Sequence, residues 1–532
     1  MSKAPGPYRV LVTDTLADAG LAILRAAEDV DLDYRPGLKG EELLEAVRQC
    51  DALISRSGTA VTRELVNAGK RMRIVGRAGV GLDNVDVPAA TERGVLVINA
   101  PTANILSATE HTMALMLAVC RNLPDANASV KRNEWLRSKF MGIELNGKTL
   151  GIIGLGRIGS RVSIRAKAFG MKVIAFDPYI APTVAEKLGV DFVSFERLLQ
   201  DSDVITVHTP LTDETRGMIQ AADIERMKEG VVLINCARGG IYDEASLAEG
   251  LRSGRVAAAA VDVFTEEPPP PDHPLLTAPN IVLTPHIGAN TIEAQDRVAI
   301  QTSEMVVEAL RGSIFVSAVN LPFEGLTDSN AAPLINLSEK IGVFAAQLLN
   351  EPAERVSVEL WGIDERFLRI LSVASLKGLL SQRLSDSVNF VNAESIAENR
   401  GIHLSSTIHP TPVDYTNLIT LRVGSANDEV CVSGTLFSEK NGRIVAVNNF
   451  RVEFRPEGYL LYMVNRDVPG VVGKIGSILG DRDINIAEYN LARNKNANLA
   501  MAVVTIDSAP DAETLNFLRS SKEMKDLRLI KL

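Results

Sequence analysis

Short apolar runs alternate with amphipathic stretches through the first part of the chain. Residues 8–13 predict a strand and residues 16–26 a helix, with further strands at 51–55, 73–76 and 95–99. Strands that alternate with helices imply a parallel sheet. Pro101 interrupts this series in Asn99-Ala-Pro-Thr-Ala-Asn104, stiffens the crossing and marks a passage between domains. A helix over 107–121 follows, whose Met113, Leu115, Met116, Leu117 and Val119 read as core packing. A second strand and helix series runs through apolar segments ending near Gly154, Asp177, Thr209, Asn235, Phe264 and Thr284. A helix over 291–311 then returns to the first lobe and makes it discontinuous, with hinges near Asn99 and Ala289.

Beyond Leu321 the pattern changes. An amphipathic helix is predicted at 332–349 and short strands at 356–360 and 418–422, with a hairpin turn at Asn441-Gly442. The last stretch gives a strand (458–467), a helix beginning at 468–473, strands near 484–487 and 499–507, a helix (512–520) and a strand (527–532). That is a β-α-β-β-α-β order.

Candidate chemistry begins at the first turn of the second series. Lys148 to Ile153 leads into Gly154-Leu-Gly-Arg-Ile-Gly159, then a helix, then an apolar run ending at Asp177. This is the strand, turn, helix, strand, acid order of a dinucleotide site. Gly154 permits the tight turn, Gly156 lets backbone approach a pyrophosphate, and Gly159 lets helix pack on strand. The phosphates sit at a helix N-terminus, where unpaired N–H groups favour anions. Asp177 suits a ribose 2′-hydroxyl, and no nearby arginine awaits a 2′-phosphate, so NAD is favoured over NADP.

Three later strands end in charged residues. Arg238 leaves a fully apolar strand on Asn235-Cys-Ala-Arg-Gly-Gly240, Asp262 and Glu267 follow the next, and His286 follows the last. A guanidinium there calls for an anion and offers a planar match to a carboxylate. Histidine is suited to take a hydroxyl proton near neutral pH, and a carboxylate beside it raises its pKa and fixes its tautomer. The set fits hydride transfer on a 2-hydroxy acid. Cys236 reads as a small core residue and His208 as a structural strand-end histidine. In the first lobe, Arg56-Ser-Gly-Thr59 and Arg77-Ala-Gly-Val-Gly81 close strands and suit an anionic ligand.

Composition sets bounds on these readings. A chain of 532 residues suggests three or four domains at one per ~150 residues. A net charge of −10 argues against a nucleic-acid or membrane partner, but not against an anionic small molecule. Cys50, Cys120, Cys236 and Cys431 are scattered, without metal-type pairing, and read as reduced thiols. No apolar run is long enough to span a bilayer, and the N-terminus lacks a signal-type core. The expectation is a soluble, cytoplasmic protein without a metal.

Gly154–Gly159, Asn235–Gly240, Asp262–Pro268 and Thr284-Pro-His-Ile-Gly288 resemble the motifs of the D-isomer-specific 2-hydroxyacid dehydrogenase family, over residues 1 to about 320. Arg77-Ala-Gly-Val-Gly-Leu-Asp-Asn-Val-Asp86, Asn99–Asn104 and the C-terminal architecture resemble its long-form branch, which acts on 3-phosphoglycerate in L-serine biosynthesis. The resemblance implies Arg238, Glu267 and His286 as catalytic residues, His286 being the proton donor and acceptor. It implies NAD contacts at Arg157, Ile158, Asp177, Thr209, Cys236, Arg238, Asp262, His286 and Gly288. Substrate contacts are implied at Arg56, Ser57, Val80, Gly81 and Asn104. Family members differ around Arg56-Ser-Gly-Thr59, and Gly58 supplies no second basic group here, so Arg132, Arg137 or Lys139 is expected to contribute to the phosphate instead. Alternatives are another 2-hydroxy acid, such as hydroxyglutarate or glyoxylate, or a binding protein that responds to NAD without catalysis.

The implied fold is α/β: a Rossmann-like doubly wound sheet (101–289) and a flavodoxin-like substrate lobe (1–100 with 290–320). Two α+β regulatory domains are expected to follow, an intervening one (321–452) and one (458–532) resembling the ferredoxin-like ACT domain. The latter implies L-serine as effector at Asn465, Asp467 and Asn485, and a homo-oligomer, a tetramer, built by paired sheets.

Overall fold

A computed structural model describes residues 7–313, 318–323, 331–384, 388–411, 414–438, 440–494 and 496–532. The reading of the N-terminus falls partly on residues 1–6, outside the described residues.

The first sheet holds β1 (Tyr8–Val12), β2 (Val30–Tyr34), β3 (Ala52–Ser55), β4 (Ile74–Arg77) and β5 (Leu96–Asn99), in the order β2-β1-β3-β4-β5. All pairings are parallel. The strand order turns back between β1 and β3, so the loops after Val12 and Ser55 diverge and leave a crevice. The helix Ile292–Leu310 covers one face, placing Val298, Ala299, Val306 and Val307 among Val10, Ile54 and Ile98.

The second sheet holds β6 (Thr149–Ile153), β7 (Lys172–Phe176), β8 (Asp191–Phe192), β9 (Val204–Val207), β10 (Val231–Asn235), β11 (Val256–Val261) and β12 (Ile281–Leu283). Its order is β12-β11-β10-β9-β6-β7-β8, again parallel, with the reversal between β6 and β9. Its inner strands are apolar throughout because helices cover both faces. Met113, Leu115, Met116 and Val119, on the helix Ile105–Cys120, are buried in that core.

The third sheet is β13 (Arg355–Trp361), β14 (His403–His409), β15 (Leu418–Gly424), β16 (Glu429–Phe437), β17 (Asn441–Val447) and β18 (Phe450–Phe454), ordered β14-β13-β15-β16-β17-β18. The expected turn at Asn441-Gly442 is corrected. Both residues lie in β17, paired with Phe437 and Leu436, so the connection comes just before them. Ser438, at φ 51°, supplies the left-handed backbone that Asn-Gly was expected to supply.

The fourth sheet, β19 (Tyr459–Arg466), β20 (Ile486–Asn494), β21 (Leu499–Ile506) and β22 (Met524–Lys531), is antiparallel in the order β20-β21-β19-β22. One face packs on the helices Val471–Gly480 and Ala512–Arg519. Leu460, Tyr462, Met501, Val503 and Ile530 join the third sheet's core instead. Phe344 lies 5.4 Å from Phe454 and 6.4 Å from Tyr462 between ring centroids.

Candidate active site

A cleft of about 720 Å³ is lined by the strand ends of the first two sheets. Its floor on the second sheet is the reversal between β6 and β9. Gly154 sits at φ 91°, and a Cβ there would lie 2.7 Å from the His208 carbonyl oxygen, so only glycine fits this turn. A Cβ on Gly159 would lie 2.1 Å from the Gly154 oxygen. A Cβ on Gly156 would meet nothing within 4 Å, which leaves the space a pyrophosphate requires. Arg157 and Ile158 also line the cleft, at the start of the helix Gly159–Ala168. Asp177 accepts from the amides of Leu155 and Tyr179, both at 2.9 Å, and so ties the β7 end to the glycine loop. The Thr209 hydroxyl is buried without a hydrogen-bond partner beside that loop. An orphaned hydroxyl and an open glycine are what a dinucleotide would satisfy. The residues therefore fit NAD.

Asp262, fully buried, organises the neighbouring exit. Its carboxylate accepts from the Thr284 hydroxyl (2.6 Å), the Ile287 and Gly288 amides (2.9 and 2.8 Å) and His111 Nε2 (3.1 Å). Burial alone would raise its pKa; the donors of His111, Thr284 and Ile287 outweigh that and hold it below the ordinary value. Its backbone oxygen accepts from the His286 amide at 2.8 Å, fixing a residue whose φ of 52° is costly for a side chain.

His286 Nδ1 meets Glu267 Oε2 at 2.7 Å. The hydrogen bond raises the imidazole pKa, burial opposes it, and the net shift is upward. Burial works against the Glu267 carboxylate, yet the bonds from His286 and the Phe264 amide bring it below the usual range. Arg238 is held at the end of β10 by Asn235, which donates to its carbonyl and accepts from the Ala237 amide. The Arg238 Nε lies 3.6 Å from Asp83 of the first lobe.

Facing this centre, the first lobe presents Arg56, Ser57, Val80 and Gly81 in the same cleft, and Asn104 lines it from the start of the helix Ile105–Cys120. Arg77 joins them. Burial and the charges of Arg56 and Arg238 hold its guanidinium below its ordinary pKa. Among the described residues, neither Arg56 nor Arg77 has a carboxylate within ion-pair distance.

Two family models match the chain: "D-isomer specific 2-hydroxyacid dehydrogenase, NAD binding domain" over residues 113–288, and "D-3-phosphoglycerate dehydrogenase intervening domain" over residues 330–448. D-3-phosphoglycerate dehydrogenase of Bacillus subtilis is 42% identical over 529 residues, covering 99% of this chain and 100% of its own length. That of Archaeoglobus fulgidus is 41% identical over 511 residues, covering 95% and 97%. The chain belongs to the D-3-phosphoglycerate dehydrogenase family. Among solved structures, the TT0316 protein of Thermus thermophilus matches 57% of this chain and 97% of its own, at 36% identity and a TM-score of 0.53. D-lactate dehydrogenase of Aquifex aeolicus, complexed with NAD and lactic acid, matches 57% and 96%, at 30% identity and 0.52.

Within this family member, some expected residues fall outside the cleft. Arg132, Arg137 and Lys139 do not line it, and Arg132 pairs with Glu134 at 3.0 Å. Asn465 donates to the Arg466 carbonyl, Asp467 accepts from Arg493 at 2.7 Å, and Asn485 donates to Asp507 at 2.8 Å. Asn465 and Asp467 lie at one end of the fourth sheet, beside Leu499 and Ala500, and Asn485 lies at the other, beside Asp507, so the structure does not bring the three together within one chain. Cys236 lines the cleft, but burial pushes its thiol up to about 12, which keeps it protonated. His208 also lines it; burial pushes its imidazole down to about 4, and its Nε2 meets the Thr206 hydroxyl at 3.1 Å.

Sequence reasoning missed His111, Asp14 and Asn84. His111 carried one signal, a histidine just before the apolar run Met113–Val119 of its helix. Asn84 stood within the Arg77–Asp86 motif but without a role of its own, and Asp14 carried no signal, since their partners lie on loops that only the strand order brings together.

Proposed function

We propose that this protein oxidises 3-phospho-D-glycerate to 3-phosphooxypyruvate with NAD, the first step of the phosphorylated route to L-serine. The observation that carries the reading is that Arg238, His286 and the pair Arg56 and Arg77 all line one cleft, which offers two seats for anions beside one imidazole. Arg238 offers a bidentate partner for the substrate carboxylate. Arg56 and Arg77, without carboxylates of their own, suit the phosphate. In this assignment residues 1–100 with 290–320 form the substrate lobe, and 101–289 form the NAD lobe.

With the carboxylate on Arg238, the C2 hydroxyl lies towards His286. Glu267 holds the Nδ1 proton, which leaves Nε2 to accept the hydroxyl proton. The electron pair of that O–H bond forms the new C=O, and the C2 hydrogen departs as hydride. When bound, NAD supplies the hydride acceptor. The products are the 2-oxo acid, NADH and a proton on His286, and the Glu267 carboxylate stabilises that imidazolium. NADH formation from phosphoglycerate and NAD, with the oxo acid trapped, is the test; no absorbance rise would end the proposal.

The β-α-β-β-α-β order of the last sheet supports an ACT domain at 458–532, preceded by a regulatory domain at 321–452. We assign L-serine as its effector, at Asn465, Asp467 and Asn485, in a homotetramer working in the cytoplasm. Among the described residues no helix is long and apolar enough to cross a membrane. Rates measured against L-serine, with mass measurement in solution, test this part.

A further inference from the structure

The two arginines assigned to phosphate sit on separate loops, Arg56 after β3 and Arg77 at the end of β4. Neither loop fixes the other through an ion pair. The residue that joins them is Asn84. Its Nδ2 donates to the carbonyl oxygens of Arg56 and Thr59, both at 2.6 Å. Its Oδ1 accepts from Arg77 Nε at 3.4 Å. Its own backbone oxygen accepts from the Val61 amide at 2.8 Å. One side chain thus grips both ends of the 56–59 turn and the guanidinium beside it. From the other side, Asp14 accepts from the Arg56 amide at 2.6 Å.

We propose that Asn84 is a positioning residue that joins the Arg56 and Arg77 loops into one phosphate seat and thereby sets the preference for a phosphorylated substrate. The proposal rests on the phosphate seat assigned above. Only a primary amide of this length does the work. Both N–H donors are needed for the two carbonyls, and the oxygen must be neutral. A carboxylate in the same place would face two carbonyl oxygens with no proton to give. It would also set a negative charge against Arg77, cancelling part of the attraction for phosphate. Arg56 and Arg77 repel one another, so without the bridge the two loops have a reason to separate. Asn84 need not touch the substrate.

The test compares two oxo acids that differ only in the phosphate. Reduction of 3-phosphooxypyruvate and of hydroxypyruvate by NADH is measured for the wild type, Asn84→Ala and Asn84→Asp. In Asn84→Ala the ratio of kcat/KM, phosphorylated over unphosphorylated, should fall about tenfold or more. This follows from the loss of hydrogen bonds that order charged groups. The loss should appear in KM for the phosphorylated substrate, not in kcat. Asn84→Asp should fall further, and its KM should fall less steeply than the wild type's as salt is lowered. NADH binding, followed by fluorescence, and the melting temperature report whether the fold is intact. An unchanged ratio in both variants would overturn the role of Asn84, as would an equal loss on both substrates. A wild type that shows no preference for the phosphorylated substrate would instead overturn the phosphate seat, and the role of Asn84 with it.

Discussion

Replacing Glu267 by glutamine should damage the reaction more than removing its side chain altogether. The reason lies in the two oxygens. Oε1 accepts from the Phe264 amide at 3.1 Å and Oε2 meets His286 Nδ1 at 2.7 Å. A glutamine can satisfy the Phe264 amide only with its oxygen, so its NH2 turns to His286. Nδ1 must then accept, and the neutral ring carries its proton on Nε2, where the substrate proton has to go. Restoring the productive tautomer leaves a donor unsatisfied, at about 1–3 kcal/mol, or roughly five- to a hundredfold in rate. The charge adds a smaller part. Both side chains are more than a third exposed, 44% and 38%, so screening brings this pair to about 1 kcal/mol, near fivefold. Glu267→Ala loses that second part and keeps a ring free to choose its tautomer. The two effects separate by pH. Oxidation needs neutral His286, whose pKa the pair raises, so the rate rises with pH through a raised pKa. Both variants should move that limb to lower pH. Reduction needs the imidazolium, and its limb moves to lower pH also, costing activity near neutrality. On the alkaline plateau of oxidation the pKa no longer matters, and Glu267→Gln should remain well below Glu267→Ala. Profiles of kcat/KM against pH in both directions decide it. Equal plateaus, or an unmoved limb, would refute the reasoning.

Three further outcomes follow from the same geometry. His286→Ala should lower kcat by about a hundred- to ten-thousandfold while fluorescence titration still detects NAD binding; loss of both together would place His286 in cofactor binding instead. Asp177→Ala removes the 2.9 Å bond that anchors the glycine loop at Leu155, and a second at Tyr179 that fixes its own turn. KM for NAD should rise about tenfold and the margin over NADP should narrow, and an unaltered NAD/NADP ratio would dismiss Asp177 as the discriminating acid. Asp467→Ala frees Arg493 from its 2.7 Å partner and should abolish any inhibition by L-serine in a steady-state assay; retained inhibition would move the effector elsewhere.

The first two sheets were legible because their strands are apolar runs bounded by glycine and charge. The three residues proposed for catalysis stood out for a related reason. Arg238, Glu267 and His286 each follow an apolar strand on a glycine- or proline-marked exit, and the three exits succeed one another along the chain. The weaker strands escaped. β2, with alternating acids in Val-Asp-Leu-Asp-Tyr, and β14, mostly exposed along its length, carry no apolar run. Their pairing comes from neighbours, Val10 with Leu32 and Val358 with Ser406. The residues that hold the site together were illegible for a stricter reason. Asp14 meets Arg56 only because β1 lies beside β3, and His111 meets Asp262 only because its helix packs on the second sheet. Spacing along the chain encodes neither neighbour.

The end of the chain extends that point from residues to domains. The third and fourth sheets looked like two modules, yet the helix Ala332–Leu348 serves as core for both. Phe344 reaches Phe454 on one side and Tyr462 on the other. Beyond it, Arg528 donates to the Gln347 carbonyl and to Asn350, while Gln347 donates to the Lys531 carbonyl. Pulling the sheets apart would expose Leu460, Tyr462, Met501, Val503 and Ile530 to water, at about 1.5–3 kcal/mol for each large side chain. A cost on that scale exceeds what binding one small effector gives as coupling, typically about 1–3 kcal/mol. The two modules therefore move together. Their hydrogen bond to the first lobe, Asn389 to the Gly94 carbonyl at 2.8 Å, falls just before β5. At the far end of β5, Asn99 donates to the Val80 carbonyl in the substrate loop. Asn389 and Asn99 thus tie the two ends of β5, one to the C-terminal modules and the other to the loop after β4.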